Sequence, residues 1–220
     1  VGAALGVPVT LCLPENASRE RKQKLKALGA EIIYTSRFES TDGAQRQAKA
    51  LVAEQPGKYF YADQYNNENN WKAHYYGTAE EIWRQTEGRI THFVAGLGTT
   101  GTFVGNSRRL RELNPEVHTV ALHPNNPMHG LEGWKHLETA IVPGIYDQST
   151  ADEHLPVDTE EAFGLIKHIA RREGLLISPS AAANLAGALQ VARTLEEGVI
   201  VTTLADDASK YSEVLDFLYP

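Results

Sequence analysis

The sequence predicts an α/β fold in which a mostly parallel sheet is covered by helices. Three observations point to it. Strand-like apolar runs at 7–13, 30–35, 58–62, 90–96, 117–122, 174–178 and 198–204 alternate with amphipathic stretches. Helix start and stop signals sit between most of these runs. The run at 90–96 also passes straight into a turn rich in glycine and threonine that opens a helix, an arrangement typical of α/β sheets that bind ligands at their strand ends.

Taken in order, Val1-Gly-Ala-Ala-Leu5 reads as the last turn of a small-residue helix, stopped by Gly6 with Pro8 behind it. The chain is therefore expected to begin mid-element. The strand 7–13 holds the only cysteine, Cys12, inside the apolar run Val9-Thr-Leu-Cys-Leu13, where it reads as a small core residue. A helix at 18–28 has the polar start Asn16, Ser18 and Glu20 and stops at Gly29, and its charges from Arg19 to Lys26 form a solvated face. The stretch 124–156, rich in Pro, Gly, His and Asn, shows no periodicity and is expected to be irregular. Asp158-Thr-Glu-Glu161 is a capping box, followed by Ala162, Leu165, Ile166 and Ile169 on one helical face. A further helix is expected over 181–193, before the last strand.

Composition narrows the function. At 42% apolar residues the 220-residue chain can build a real core, either as one large domain or as one and a half smaller ones. A net charge of −7, with no basic tract, argues against nucleic acid or a membrane surface as a partner and favours small molecules. One cysteine provides neither a disulfide framework nor a cysteine metal site, and a reducing cytoplasm is the expected compartment. His123, His129 and His136, with Glu132, lack metal-ligand spacing, so no metal is expected.

The chemistry centres on Phe93-Val-Ala-Gly-Leu-Gly-Thr-Thr-Gly-Thr102. Backbone N–H groups at a helix start converge on an anion, glycine lets the main chain approach, and threonine hydroxyls add donors. Gly96, Gly98 and Gly101 formally match a dinucleotide fingerprint. That fingerprint needs a carboxylate after the next strand, about 20 residues on, and here the strand runs into His123-Pro124 instead. A phosphate monoester, whose three oxygens need many donors, suits the three threonines better.

The loop follows the segments Asp63-Gln-Tyr-Asn-Asn67, Ala73-His-Tyr75 and Thr78-Ala-Glu-Glu-Ile-Trp83 and precedes the late turn Gly174-Leu-Leu-Ile-Ser-Pro-Ser180-Ala-Ala-Ala-Asn184. The chain thereby resembles the fold-type II pyridoxal-phosphate enzymes, specifically the cysteine synthase and cystathionine β-synthase group. The resemblance implies a three-layer, tryptophan synthase β-like architecture with a partial small domain at 1–66 and a large cofactor-binding domain at 67–220. It implies that Gly98, Thr99, Thr100, Gly101 and Thr102 hold the phosphate of pyridoxal 5′-phosphate. Ser180 would face the pyridine nitrogen, unless it serves only as a helix N-cap, and Gln64 would hold the substrate α-carboxylate. Residues 130–136 would border the active-site mouth. The Schiff-base lysine is expected upstream of Val1, which would make the chain an N-terminally truncated portion. The implied activity is synthesis of L-cysteine from O-acetylserine, or a similar activated serine, and sulfide by a cytoplasmic homodimer. Cystathionine β-synthase chemistry is the alternative, a non-catalytic remnant of the fold a second, and a nicotinamide oxidoreductase resting on the glycine match alone a third.

Overall fold

The computed structural model describes residues 1–220 and divides them into two compact units. The first comprises Val1–Ala62 with Ser209–Pro220, the second Asp63–Ala208. Residues 209–220 thus group with the first unit, whereas the resemblance implies a division between 66 and 67.

The first unit contains α1 (Gly2–Leu5), β1 (Thr10–Pro14), α2 (Arg19–Ala27), β2 (Glu31–Thr35), α3 (Ser40–Glu54) and the C-terminal α9 (Ser212–Leu218). β1 and β2 pair in parallel through the α2 crossover. Ser18 caps α2, its hydroxyl accepting from the Arg21 N–H, and Gly29 follows the helix at φ 79°. The expected strand at 58–62 does not form. Its apolar, aromatic run suits a strand, but it joins neither sheet, and Phe60 is 90% exposed.

The second unit runs through α4 (Asn69–Ala73), a π-helical turn (His74–Thr78), α5 (Ala79–Gln85), β3 (His92–Gly96), α6 (Gly101–Leu113), β4 (His118–Pro124), β5 (Glu153–Val157), α7 (Thr159–Glu173), α8 (Pro179–Ala192) and β6 (Ile200–Thr202). Its four-stranded sheet has the order β5-β4-β3-β6, and all pairs are parallel. Strands buried on both faces need apolar residues at successive positions, and Phe93, Val94 and Ala95 in β3 and Val120, Ala121 and Leu122 in β4 are all buried. Ala121 shares a cluster with Phe103 and Val104 of α6, while its neighbour Leu122 meets Gly187 of α8. Successive strand residues face opposite sides, so helices cover both faces.

Two expectations in this unit are corrected. The irregular stretch contains β5, which the proline in Glu153-His-Leu-Pro-Val157 disguises; an edge strand tolerates that proline because only one side must pair. The run 174–178 is not a strand. Gly174 ends α7 at φ 67°, and only an antiparallel bridge from Ile177 to Asp207 remains.

Candidate cofactor-phosphate site

β3 delivers the chain to the loop, and Leu97 prolongs the ladder by donating its N–H to the Leu122 carbonyl at 2.9 Å. The chain then turns sharply. Thr100, the N-cap of α6, adopts the left-handed conformation at φ 72°, which is strained for a β-branched residue and is tolerated where surrounding structure enforces it. Its side chain makes no capping bond, and its hydroxyl is buried without any hydrogen-bond partner, the residue being 2% exposed. Buried polar atoms are nearly always satisfied, and exceptions point to a function. Asn106 Oδ1 and Ser107 Oγ share this status, but they lie further along α6, whereas Thr100 sits where the helix N–H groups are unpaired.

The loop is enclosed at close quarters. A Cβ at Gly98 would collide with the carbonyl oxygen of Gly133, and one at Gly101 with the side chain of Asn70. Trp134 lies against Gly96, and the Lys135 N–H donates to the Leu97 carbonyl at 2.8 Å. Residues 133–135 therefore pack against 96–98. Asn70 Nδ2 donates to the Gln64 carbonyl at 2.7 Å and to the Thr99 hydroxyl at 3.0 Å, and His74 Nε2 lies 3.2 Å from the Thr102 hydroxyl. Gln64 follows Asp63, which has φ 39°, in a turn closed by the Asn67 N–H on the Asp63 carbonyl, and its side chain is exposed.

Ser180 lies in the first turn of α8. Ser178, not Ser180, is the N-cap: its hydroxyl accepts from the Ala181 N–H at 3.2 Å, with Pro179 at the first helical position. The capping reading of Ser180 is thereby corrected, and its hydroxyl is left with a 3.3 Å contact to Ser178 Oγ. Four residues on, Asn184 accepts from the Gly96 N–H at 2.8 Å and donates to the Thr203 carbonyl at 2.8 Å. The sequence places Asn184 at the end of the late turn that begins at Gly174 but gives it no role, since its two partners, Gly96 and Thr203, are remote in sequence.

Other polar groups serve locally. His129 Nδ1 accepts from the Leu131 N–H, His136 pairs with Thr139, and His123 Nδ1 lies 3.1 Å from the Pro124 carbonyl. Burial holds the imidazoles of His74 and His129 below the usual range, with His136 adding to the effect at His129. Lys135 is a buried lysine, but its ammonium is 3.3 Å from the Ile141 carbonyl and 5.0 Å from the centre of the Tyr65 ring.

A strained, glycine-lined loop at a helix start, with a buried unpaired hydroxyl, fits a phosphate monoester. Over residues 1–206 the chain matches the model of a pyridoxal-phosphate dependent enzyme. The chain belongs to that family. It is 48% identical over 215 residues to a cysteine synthase of Aquifex aeolicus, covering 96% of this chain and 66% of the relative. It is 38% identical over 211 residues to cysteine synthase B of Pseudomonas aeruginosa, covering 95% and 69%. Among solved structures, a cysteine synthase of Entamoeba histolytica superposes with a TM-score of 0.84 at 29% identity, over 99% of this chain and 70% of that one. The pyridoxal-phosphate fold thus spans this chain, which is about two thirds as long as these relatives. No helix is long and apolar enough to cross a membrane.

Proposed function

We propose that the chain carries the cofactor-binding part of a cysteine synthase, in which an activated serine such as O-acetylserine loses its leaving group and sulfide takes its place. The observation that carries this reading is the unpaired Thr100 hydroxyl in a glycine-lined loop, in a chain 48% identical to a cysteine synthase. Gly98, Thr99, Thr100, Gly101 and Thr102 hold the phosphate of pyridoxal 5′-phosphate through backbone N–H groups and hydroxyls. When bound, the cofactor supplies an electron sink for negative charge at the substrate α-carbon.

The chain's own residues orient the partners. The exposed Gln64 amide donates to the substrate α-carboxylate, its backbone fixed by Asn70. The Ser180 hydroxyl hydrogen-bonds the pyridine nitrogen without imposing a positive charge on it, as a carboxylate would. Such a moderated sink suits removal of a good leaving group. Buried Lys135 is engaged with the Ile141 carbonyl and the Tyr65 ring. The same reading makes the enzyme a cytoplasmic homodimer, which light scattering and cell fractionation test.

The direct experiment supplies the cofactor-loaded enzyme with O-acetylserine and either sulfide or homocysteine and identifies the product by chromatography. Cysteine from sulfide supports the reading. Cystathionine from homocysteine alone would assign the other β-replacement reaction, and no replacement product with either would leave only the fold.

A further inference from the structure

Gly101 and Gly105 lie one turn apart on α6, and both face α4. A Cβ at Gly105 would collide with the Trp71 carbonyl and come within 2.8 Å of the His74 Cβ, as one at Gly101 would meet Asn70. The two glycines let α4 and its π-helical continuation approach so closely that Asn70 and His74, themselves four residues apart, reach the hydroxyls of Thr99 and Thr102.

The direction of the Asn70 bonds follows from chemistry. The Gln64 carbonyl can only accept, so the Asn70 atom 2.7 Å away must be the amide nitrogen. Its second hydrogen then points to Thr99 Oγ1 at 3.0 Å. A hydroxyl that accepts from Asn70 keeps its own hydrogen for another acceptor. At His74, Nδ1 lies 3.0 Å from the Thr78 hydroxyl and Nε2 3.2 Å from that of Thr102, and burial favours the neutral ring. The neutral tautomer in which Thr78 donates to Nδ1 gives the Nε2 hydrogen to Thr102, whereas the other tautomer reverses both bonds, and we adopt the first.

We propose that Asn70 and His74 are positioning residues that set the polarity of the phosphate loop: each donates to a threonine oxygen, so that Thr99 and Thr102 turn their hydroxyl hydrogens toward the bound anion. This deepens, and rests on, the assignment of residues 98–102 to the cofactor phosphate. Asn70 also ties that loop to the backbone of Gln64, so the phosphate and carboxylate ends of the site share one amide.

The test compares binding of pyridoxal 5′-phosphate with binding of pyridoxal, which lacks the phosphate, by equilibrium dialysis on the full chain. The wild type is expected to prefer the phosphorylated form. Asn70→Ala, which removes the donor, should reduce that preference roughly tenfold, the worth of one hydrogen bond to a charged group. Asn70→Asp has the same shape but can only accept; it draws the Thr99 hydrogen to itself and should reduce the preference further than alanine does. Simple packing predicts the opposite order, and aspartate binding as well as or better than alanine overturns the inference. His74→Gln, which retains an amide donor, should preserve more of the preference than His74→Leu, and this pair decides the matter independently if an Asn70 variant fails to fold. Equal wild-type affinity for the two probes would overturn the phosphate assignment itself, and the inference with it.

Discussion

Asn184 of α8 accepts a hydrogen bond from the backbone N–H of Gly96, the last residue of β3, at 2.8 Å. The same side chain donates to the Thr203 carbonyl just beyond β6. One amide therefore fixes α8, whose first turn carries Ser180, to the strand end that launches the phosphate loop. The separation between Ser180 and the loop at 98–102 is thereby held by a buried side chain. Replacing Asn184 with alanine leaves the Gly96 N–H and the Thr203 carbonyl without this partner. The expected loss is about 2–3 kcal/mol in urea denaturation, and a loss below about 0.5 kcal/mol would show that water or a backbone shift takes over both groups.

The two loop glycines should differ in tolerance. At Gly98 an added methyl meets the Gly133 carbonyl, a backbone atom that can move only if residues 130–136 shift. At Gly101 it meets the Asn70 side chain, whose far end can rotate away. Gly98→Ala should therefore abolish pyridoxal 5′-phosphate binding measured by dialysis, while Gly101→Ala weakens it. The reverse order would contradict the packing described here.

Acidification should destabilise the fold as pH falls below about 6.5. Burial lowers the pKa of His74 and His129 in the folded chain. At His129, moreover, Nδ1 accepts a backbone hydrogen bond from Leu131, which a protonated ring cannot do. In this range the unfolded chain binds more protons than the folded one, so the contribution is intact above the unfolded imidazole pKa and is lost as pH falls toward the folded value. Urea midpoints measured at pH 7.5 and pH 5.5 should fall with pH, and His129→Asn should flatten the dependence.

Asp158 accepts hydrogen bonds from the N–H groups of Glu160 and Glu161 at 2.8 and 3.0 Å and thus caps α7. Asp158→Ala should cost about 1 kcal/mol at neutral pH. The Glu161 N–H and the Asn125 amide hold the carboxyl below its usual range, so the carboxylate's contribution persists above the unfolded pKa and fades as pH falls through the lowered one. Asp158→Asn should keep most of the cap and lose this acid sensitivity, as paired denaturation curves at pH 7 and pH 3.5 would show.

Much of this architecture is legible in the sequence because local signals and tertiary demands agree. The Ser18 and Asp158 caps, the stop at Gly29, and the buried strands around Val94 and Val120 follow directly from residue type and period. The turn from β3 into α6 is legible too, since the glycines and threonines of 96–102 end the strand and open the helix. What escapes is set by partners remote in sequence. The aromatic run at 58–62 joins neither sheet, and β5 hides behind Pro156, which its edge position allows. The capping role passes from Ser180 to Ser178 because Pro179 fits the first helical position. Asn70, His74 and Asn184 acquire meaning only once α6 and α8 bring the loop to them.

The most direct test of the central claim is Thr100→Val, measured for both stability and cofactor affinity. The Thr100 hydroxyl is buried and unpaired in the protein alone, so its removal should leave the thermal midpoint unchanged or raise it. If that hydroxyl is kept for the cofactor phosphate, affinity for pyridoxal 5′-phosphate should fall by roughly tenfold or more, with little change for pyridoxal. A Thr100→Val protein that binds both as the wild type does would contradict the assignment of this loop.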